Sequence, residues 1–257
     1  MAAGYIELIG PPGAGKSTIG KRLLAESSTL YGGYSPTPEM MARRLGWPKL
    51  LSLPSSIAEP AANQYWVRSV RHECLYRFVS SHPNALTAFA TAIENAPRDT
   101  PEVSSGLREW LGFALCETAA IFQLLTDTAA EDETIVQDNS FCQLGVAAMA
   151  RSETDVESMG GYFIRNPQPE ILLHVDAPTE TCLQRQYDRK HSVPPPIRDS
   201  PRKEALAHVD LQRSLCREVC SRMRETGTTV LDVETTSPIE DTVNVLQRDL
   251  AEHVVVD

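Results

Sequence analysis

The 257 residues carry 34 acidic and 24 basic side chains, a net charge of −10, with 42% hydrophobic and 23% charged residues. That balance suits a globular protein with a substantial core and argues against a general nucleic-acid or anionic-membrane surface, which would need an excess of basic residues. No apolar run approaches transmembrane length and no signal-peptide pattern precedes the first strand, so a cytoplasmic protein with no membrane partner is expected. The six cysteines, at 74, 116, 142, 182, 216 and 220, form no C-x-x-C pair. They read as reduced, buried thiols rather than a zinc ribbon or redox site.

Tyr5-Ile6-Glu7-Leu8-Ile9 is a short strand-like run. Directly after it, Gly10-Pro11-Pro12-Gly13-Ala14-Gly15-Lys16-Ser17-Thr18 matches G-x-x-x-x-G-K-[ST], the phosphate-binding loop. Helix formers follow from Ile19 to Glu26. Strand, loop and helix are the context this motif needs, because backbone N–H groups at a helix N-terminus then curve around an anion and the helix dipole adds attraction. Lys16 would reach the outer phosphates and the Ser17 hydroxyl would ligate Mg²⁺. With glycine near 7% of residues, a random chain of this length would match about one time in a hundred.

Beyond the loop the pattern alternates. Leu30 to Tyr34 reads as a weak second strand, and Glu39 to Leu45 as a helix. No strand is evident from Trp47 to Thr128; helices near 60–80, 84–96 and 107–127 are separated by proline-containing breaks. Glu133 to Asp138 returns to strand character, with a helix from about Cys142 to Arg151. Ile171 to Val175 is nearly continuous in apolar residues, as a buried parallel strand should be. Asp176-Ala177-Pro178-Thr179 then opens a helix running to about Lys190, and Val193-Pro194-Pro195-Pro196 must be a loop. A long helix over 203–226, a strand from Thr228 to Val233 and a final helix from Pro238 to about Glu252 complete the chain. The spread of motifs implies one α/β domain over 1–257, a mostly parallel sheet with helices on both faces. Its ligand would lie beyond the carboxyl ends of the strands.

The phosphate loop, the absence of N-K-x-D, and the run Asp176-Ala177-Pro178-Thr179-Glu180-Thr181-Cys182-Leu183-Gln184-Arg185 followed by Arg189 narrow the class. Together they resemble the nucleoside and nucleoside-monophosphate kinase family, thymidylate kinases and deoxynucleoside kinases included. The resemblance covers most of the chain, although only the loop is specific. It implies a three-layer P-loop fold with a helical acceptor-side insertion at about 47–130 and a lid at about 186–203. It further implies a kinase that moves the γ-phosphoryl group of ATP, with Mg²⁺, to a nucleoside, nucleotide or related small molecule; a homodimer is left open.

By the same resemblance Arg185 and Arg189 would contact the transferring phosphoryl group, whose spread negative charge guanidinium groups stabilise. Lys190, Arg198 and Arg202 flank the proline-rich loop as further lid candidates. Asp138 and Asp176 both end strands; Asp138 is favoured as the Mg²⁺-associated carboxylate or base, and Asp176 as a turn or cap. The family has an arginine after the acidic residue, where this chain has Asn139. Glu39 stands near the place of the strand-two glutamate that takes the acceptor's proton in deoxynucleoside kinases. Tyr65, Trp66, Arg68, Arg71, Tyr76 and Arg77 mix aromatic and guanidinium groups in the insertion, as an acceptor site or as an amphipathic core helix. Two rivals stay open: a hydroxyl on a nucleic acid as acceptor, which the ten basic residues from Arg185 to Arg224 permit, and a P-loop ATPase or switch with no acceptor.

Overall fold

Five strands form one sheet in the computed structural model, which describes residues 4–33, 35–95, 104–152, 154–157, 159–189, 198 and 200–253. They are β1 (Tyr5–Ile9), β2 (Leu30–Gly32), β3 (Thr134–Asp138), β4 (Ile171–Asp176) and β5 (Thr229–Glu234). Their order is β2-β3-β1-β4-β5 and every pairing is parallel. β1 lies at the centre, Ile6 opposite both Val136 and Ile171, and all five of its residues are buried. Side chains on a strand alternate between faces, and here each face has its own core. Tyr5 and Ile9 enter one cluster, Ile6 and Leu8 the other. Glu7 therefore shares the face of Tyr5 and Ile9.

The helices follow as α1 (Lys16–Glu26), α2 (Pro38–Leu45), α3 (Ser55–Tyr65), α4 (Arg71–Ser81), α5 (Pro83–Asn95), α6 (Ser104–Thr128), α7 (Phe141–Ser152), α8 (Gly160–Arg165), α9 (Thr179–Tyr187), α10 (Arg202–Glu225) and α11 (Ile239–Ala251). α2 shows why local sequence sets the bounds. Thr37 accepts the Met40 N–H at its side chain, Pro38 fills the first helical position, and Gly46 at φ 61° ends the helix. α1 and α11 cover one face of the sheet, Ile19 and Leu23 packing in the same cluster as Leu246 and Leu250. The insertion and α7, α8 and α10 fill the larger cluster on the other face.

The expected α/β layering and strand order of appearance are present, and the described residues between Trp47 and Thr128 form no strand. Three details differ. The single helix expected over 60–80 is a longer run, 55–81, in which Trp66–Val70 makes one π turn; Trp66 is buried there and donates from Nε1 to Glu117 at 2.7 Å. α8 was not anticipated, six residues being too short for a periodic signal. α9 ends at Tyr187, before Arg189. Among the described residues no helix is long and apolar enough to cross a membrane. Five of the six free cysteines are buried as expected, but Cys116 is exposed.

Candidate active site

The phosphate loop leaves the carboxyl end of the central strand and enters α1. Two of its glycines are dictated by close approach: a Cβ on Gly10 would stand 2.1 Å from the Val175 carbonyl oxygen. One on Gly13, whose φ is 88°, would stand 2.2 Å from that of Cys182. The loop is thus pressed against the end of β4 and the start of α9. The first N–H groups of a helix lack intrahelical partners, so this end of α1 is built to receive an anion.

Lys16 Nζ donates to the carbonyls of Gly10 (2.6 Å) and Pro11 (3.2 Å). Burial pulls its ammonium below the ordinary lysine value, and the nearby Asp138 charge opposes that. Ser17 Oγ donates to Asp138 Oδ2 at 2.5 Å. The other carboxylate oxygen, Oδ1, is buried with no partner. A hydroxyl bonded to one oxygen of a carboxylate, the second oxygen being orphaned, is a donor set that fits a hard cation such as Mg²⁺. Asn139, next along, adopts φ 58°, a left-handed conformation that asparagine tolerates better than most side chains.

Behind the loop lies a network that sequence reasoning missed. The Gly10 N–H donates to Gln143 Oε1 at 2.9 Å, and the Gln143 N–H donates to Glu7 Oε1 at 3.0 Å. The Tyr5 hydroxyl donates to Glu7 Oε2 at 3.0 Å. Burial raises the Glu7 carboxyl from 4.5 to about 7, although the hydrogen bonds to its oxygens pull the other way. Burial raises the Tyr5 hydroxyl too. A glutamate inside an apolar strand gives no sequence signal beyond its own polarity.

In front of the loop opens a cavity of about 330 Å³. Its near wall is Pro12, Gly13 and Gly15 to Thr18; its far wall is Trp110 on α6, Gln143, Leu144, Ala147 and Arg151 on α7, and His208 and Gln212 on α10. Arg189 also lines it. The Arg151 guanidinium carbon stands 3.8 Å from the centre of the Trp110 ring.

Arg185 is elsewhere. It donates to Thr235 Oγ1 (2.9 Å), to the Thr235 carbonyl (2.7 Å), and to the carbonyls of Gly13 and Ala14 (both 3.4 Å). It does not line the cavity. Asp176 is equally committed, since Arg213 grips it through two 2.8 Å bonds, Arg217 adds one at 2.9 Å, and the Ala177 N–H one at 2.9 Å. Burial pushes that carboxyl upward, but the arginine hydrogen bonds outweigh it and leave it below the ordinary value.

Glu39 is not brought to the loop. It is half-exposed on α2 and bonded to Arg43 at 2.8 Å; Arg43 in turn holds Glu133 and stacks on Tyr31 at 4.2 Å. This group borders a separate cavity of about 530 Å³. The insertion candidates also stay apart from the loop cavity. Arg71 reaches Glu117, Arg77 pairs with Asp127 at 2.7 Å, Tyr65 packs edge-on against Trp47, and Tyr76 is exposed. Arg68 does not line the cavity either. Of the lid candidates, Arg202 holds Glu180. Lys190, Pro194, Pro195 and Pro196 lie outside the described residues, as does half of the expected lid.

No family model matches the sequence, and no curated protein does. Among solved structures, the chain is similar to a deoxyadenosine kinase from M. mycoides with the products dCMP and a flexible dCDP bound. The likeness covers 96% of this chain and 99% of that chain, at 11% identity and a TM-score of 0.48.

Proposed function

We propose that this protein is an ATP-dependent phosphotransferase that moves the γ-phosphoryl group to a small-molecule acceptor of the nucleoside, nucleotide or related metabolite type. The observation that carries this reading is the hydrogen bond from Ser17 to Asp138, set beside Lys16 at the edge of the cavity. A loop that only bound phosphate would not need a strand-end carboxylate joined to its serine. Gly13 to Ser17 cradle the triphosphate, and Lys16 leaves its carbonyl partners for the outer phosphates. Ser17 and Asp138 hold Mg²⁺, which when bound screens the phosphate charge. Arg189 reaches the transferring group from the cavity side, and Arg185 acts as a positioning residue that fixes the loop backbone.

The cavity, at about 330 Å³, has the volume of a small-molecule site. Much of the basic stretch from Arg185 to Arg224 is already neutralised among the described residues. Arg202, Arg213, Arg217, Arg222 and Arg224 are each paired with a carboxylate of the protein. That pairing favours a small acceptor over a nucleic acid. The test is ATP consumption across nucleosides, nucleotides, sugars and sugar phosphates, with Lys16→Ala as control. Acceptor-dependent turnover lost in a folded Lys16→Ala variant supports the reading; turnover indifferent to every acceptor would point to an ATPase or switch.

A further inference from the structure

The far wall of the loop cavity has the wrong charge for a neutral acceptor. Arg151 is half-buried in the last turn of α7, stacked on Trp110, and makes no ion pair with any described carboxylate. Burial lowers its pKa. His208 faces the same space. Gln212 Nε2 donates to His208 Nε2 at 2.7 Å, which fixes a neutral imidazole with its hydrogen on Nδ1. Burial, then the Arg151 charge, keeps that ring below its ordinary pKa. Lys16 and Arg189 line the same cavity. A guanidinium withdrawn from water without a counter-ion is costly, and a stacked arginine keeps its fork of donors available for a planar or tetrahedral anion.

A second observation points the same way. Among the described residues no carboxylate lines this cavity. Asp138 is 6% exposed behind Ser17, and Glu39 lies in a different cavity. A hydroxyl acceptor must lose a proton as it attacks, to a histidine or carboxylate within reach; the imidazole lining this cavity, His208, has its Nε2 lone pair taken by Gln212. An ionised phosphate needs no base.

Resting on the kinase reading above, we propose that the acceptor is a phosphomonoester whose phosphate is held by Arg151, the specificity-determining residue of the cavity. One of its oxygens attacks the γ-phosphorus of ATP, the bond from that phosphorus to the β–γ bridging oxygen breaks, and ADP leaves with the electron pair. No proton moves when the monoester is dianionic. Trp110 holds the guanidinium in place by stacking, and Gln212 keeps His208 neutral, so that Arg151 rather than the imidazole supplies the charge.

The experiment pairs each phosphomonoester with its unphosphorylated parent (nucleoside monophosphate with nucleoside, sugar phosphate with sugar) in wild type, Arg151→Gln and Arg151→Lys. The expected result is turnover with phosphomonoesters alone, rising with pH through the second phosphate ionisation near about 6. Arg151→Gln should raise the acceptor KM about 10- to 100-fold, the range of a charge-assisted hydrogen bond. Its KM for ATP should change less than about threefold, and Arg151→Lys should recover part of the loss. Equal use of the neutral parents, or an unchanged acceptor KM in Arg151→Gln, would overturn the proposal and leave the kinase reading standing.

If no acceptor supports turnover, inorganic phosphate is titrated into the protein with a non-hydrolysable ATP analogue and Mg²⁺, following tryptophan fluorescence, with Trp110→Phe marking which of the three tryptophans responds. A Trp110 response that Arg151→Gln abolishes keeps the anion site although the kinase reading has failed. A response independent of Arg151, or none, removes both. Circular dichroism and Tm of each variant separate loss of binding from loss of fold.

Discussion

Ser17 Oγ and Asp138 Oδ2 lie 2.5 Å apart although 121 residues separate them in the chain. The parallel pairing of β1 with β3 causes this meeting. Leu8 is opposite Asp138, so the strand-end carboxylate lies beside the loop that continues from β1. Asp176, at the end of β4, is equally close in topology, but Arg213 and Arg217 have taken both of its oxygens.

The two aspartates should therefore fail differently. Asp138→Asn is expected to lower kcat by at least ~10²-fold and to shift half-maximal Mg²⁺ upward, because a carboxamide offers one acceptor and no charge. Asp176→Asn should retain its Mg²⁺ dependence but lose about 1–2 kcal/mol, or several degrees of Tm, from a broken and partly solvated ion network. Turnover against Mg²⁺ concentration and a thermal scan of each variant decide it. Greater Mg²⁺ sensitivity in Asp176→Asn would invert the assignment.

Arg185 and Arg189 should separate along a different axis. Arg185 ties the carbonyls of Gly13 and Ala14 to Thr235, so Arg185→Ala should raise the KM for ATP about tenfold and lower Tm, with a smaller effect on kcat. Arg189 faces the cavity, so Arg189→Ala should lower kcat by ~10²-fold or more with ATP affinity little changed. Steady-state kinetics on both variants check this. A kcat effect dominated by Arg185 would mean that it swings out of the loop during turnover.

Glu7 gives stability a pH slope. Its carboxyl is raised from 4.5 to about 7 in the folded protein. Between those values the folded state holds a proton that the unfolded chain has released. Stability is then full below about 4.5 and declines as pH rises toward and through 7. At its steepest a single proton gives about 1.4 kcal/mol per pH unit. Glu7→Gln should remove that component. Tm measured from pH 5 to 8 should fall more steeply for wild type than for the variant, and parallel curves would contradict it.

Glu39→Gln is expected to change kcat less than about threefold. The carboxylate is half-exposed and its partner Arg43 keeps Glu133; the lost i,i+4 pair is worth about 0.3–0.5 kcal/mol. A drop of ~10²-fold in kcat would show that α2 moves to the loop cavity during the reaction.

What the sequence alone determined is whatever is written in consecutive residues. The phosphate loop is one uninterrupted stretch, Gly10 to Thr18, legible from its residue types and spacing alone, although the carbonyls that Gly10 and Gly13 make room for come from Val175 and Cys182 far along the chain. β4 is legible because a strand covered on both faces is nearly continuous in apolar residues, and Ile171 to Val175 is interrupted by His174 alone. α2 is legible from Thr37, Pro38 and Gly46, its own caps.

Only the tertiary structure decided which side chains meet. Arg185 and Arg189 are four apart and would share a face if α9 ran on to Lys190. It stops at Tyr187, so one arginine turns to the loop backbone and the other to the cavity. Trp110, Gln143, Arg151 and His208 come from three helices, and each alone reads as an ordinary core or surface residue. Their assembly depends on how α6, α7 and α10 pack over the sheet, a long-range outcome with no local signature. Glu7 is the limiting case. A polar residue in a buried strand has to find partners, but Gln143 could be identified as one only after α7 had been laid across β1.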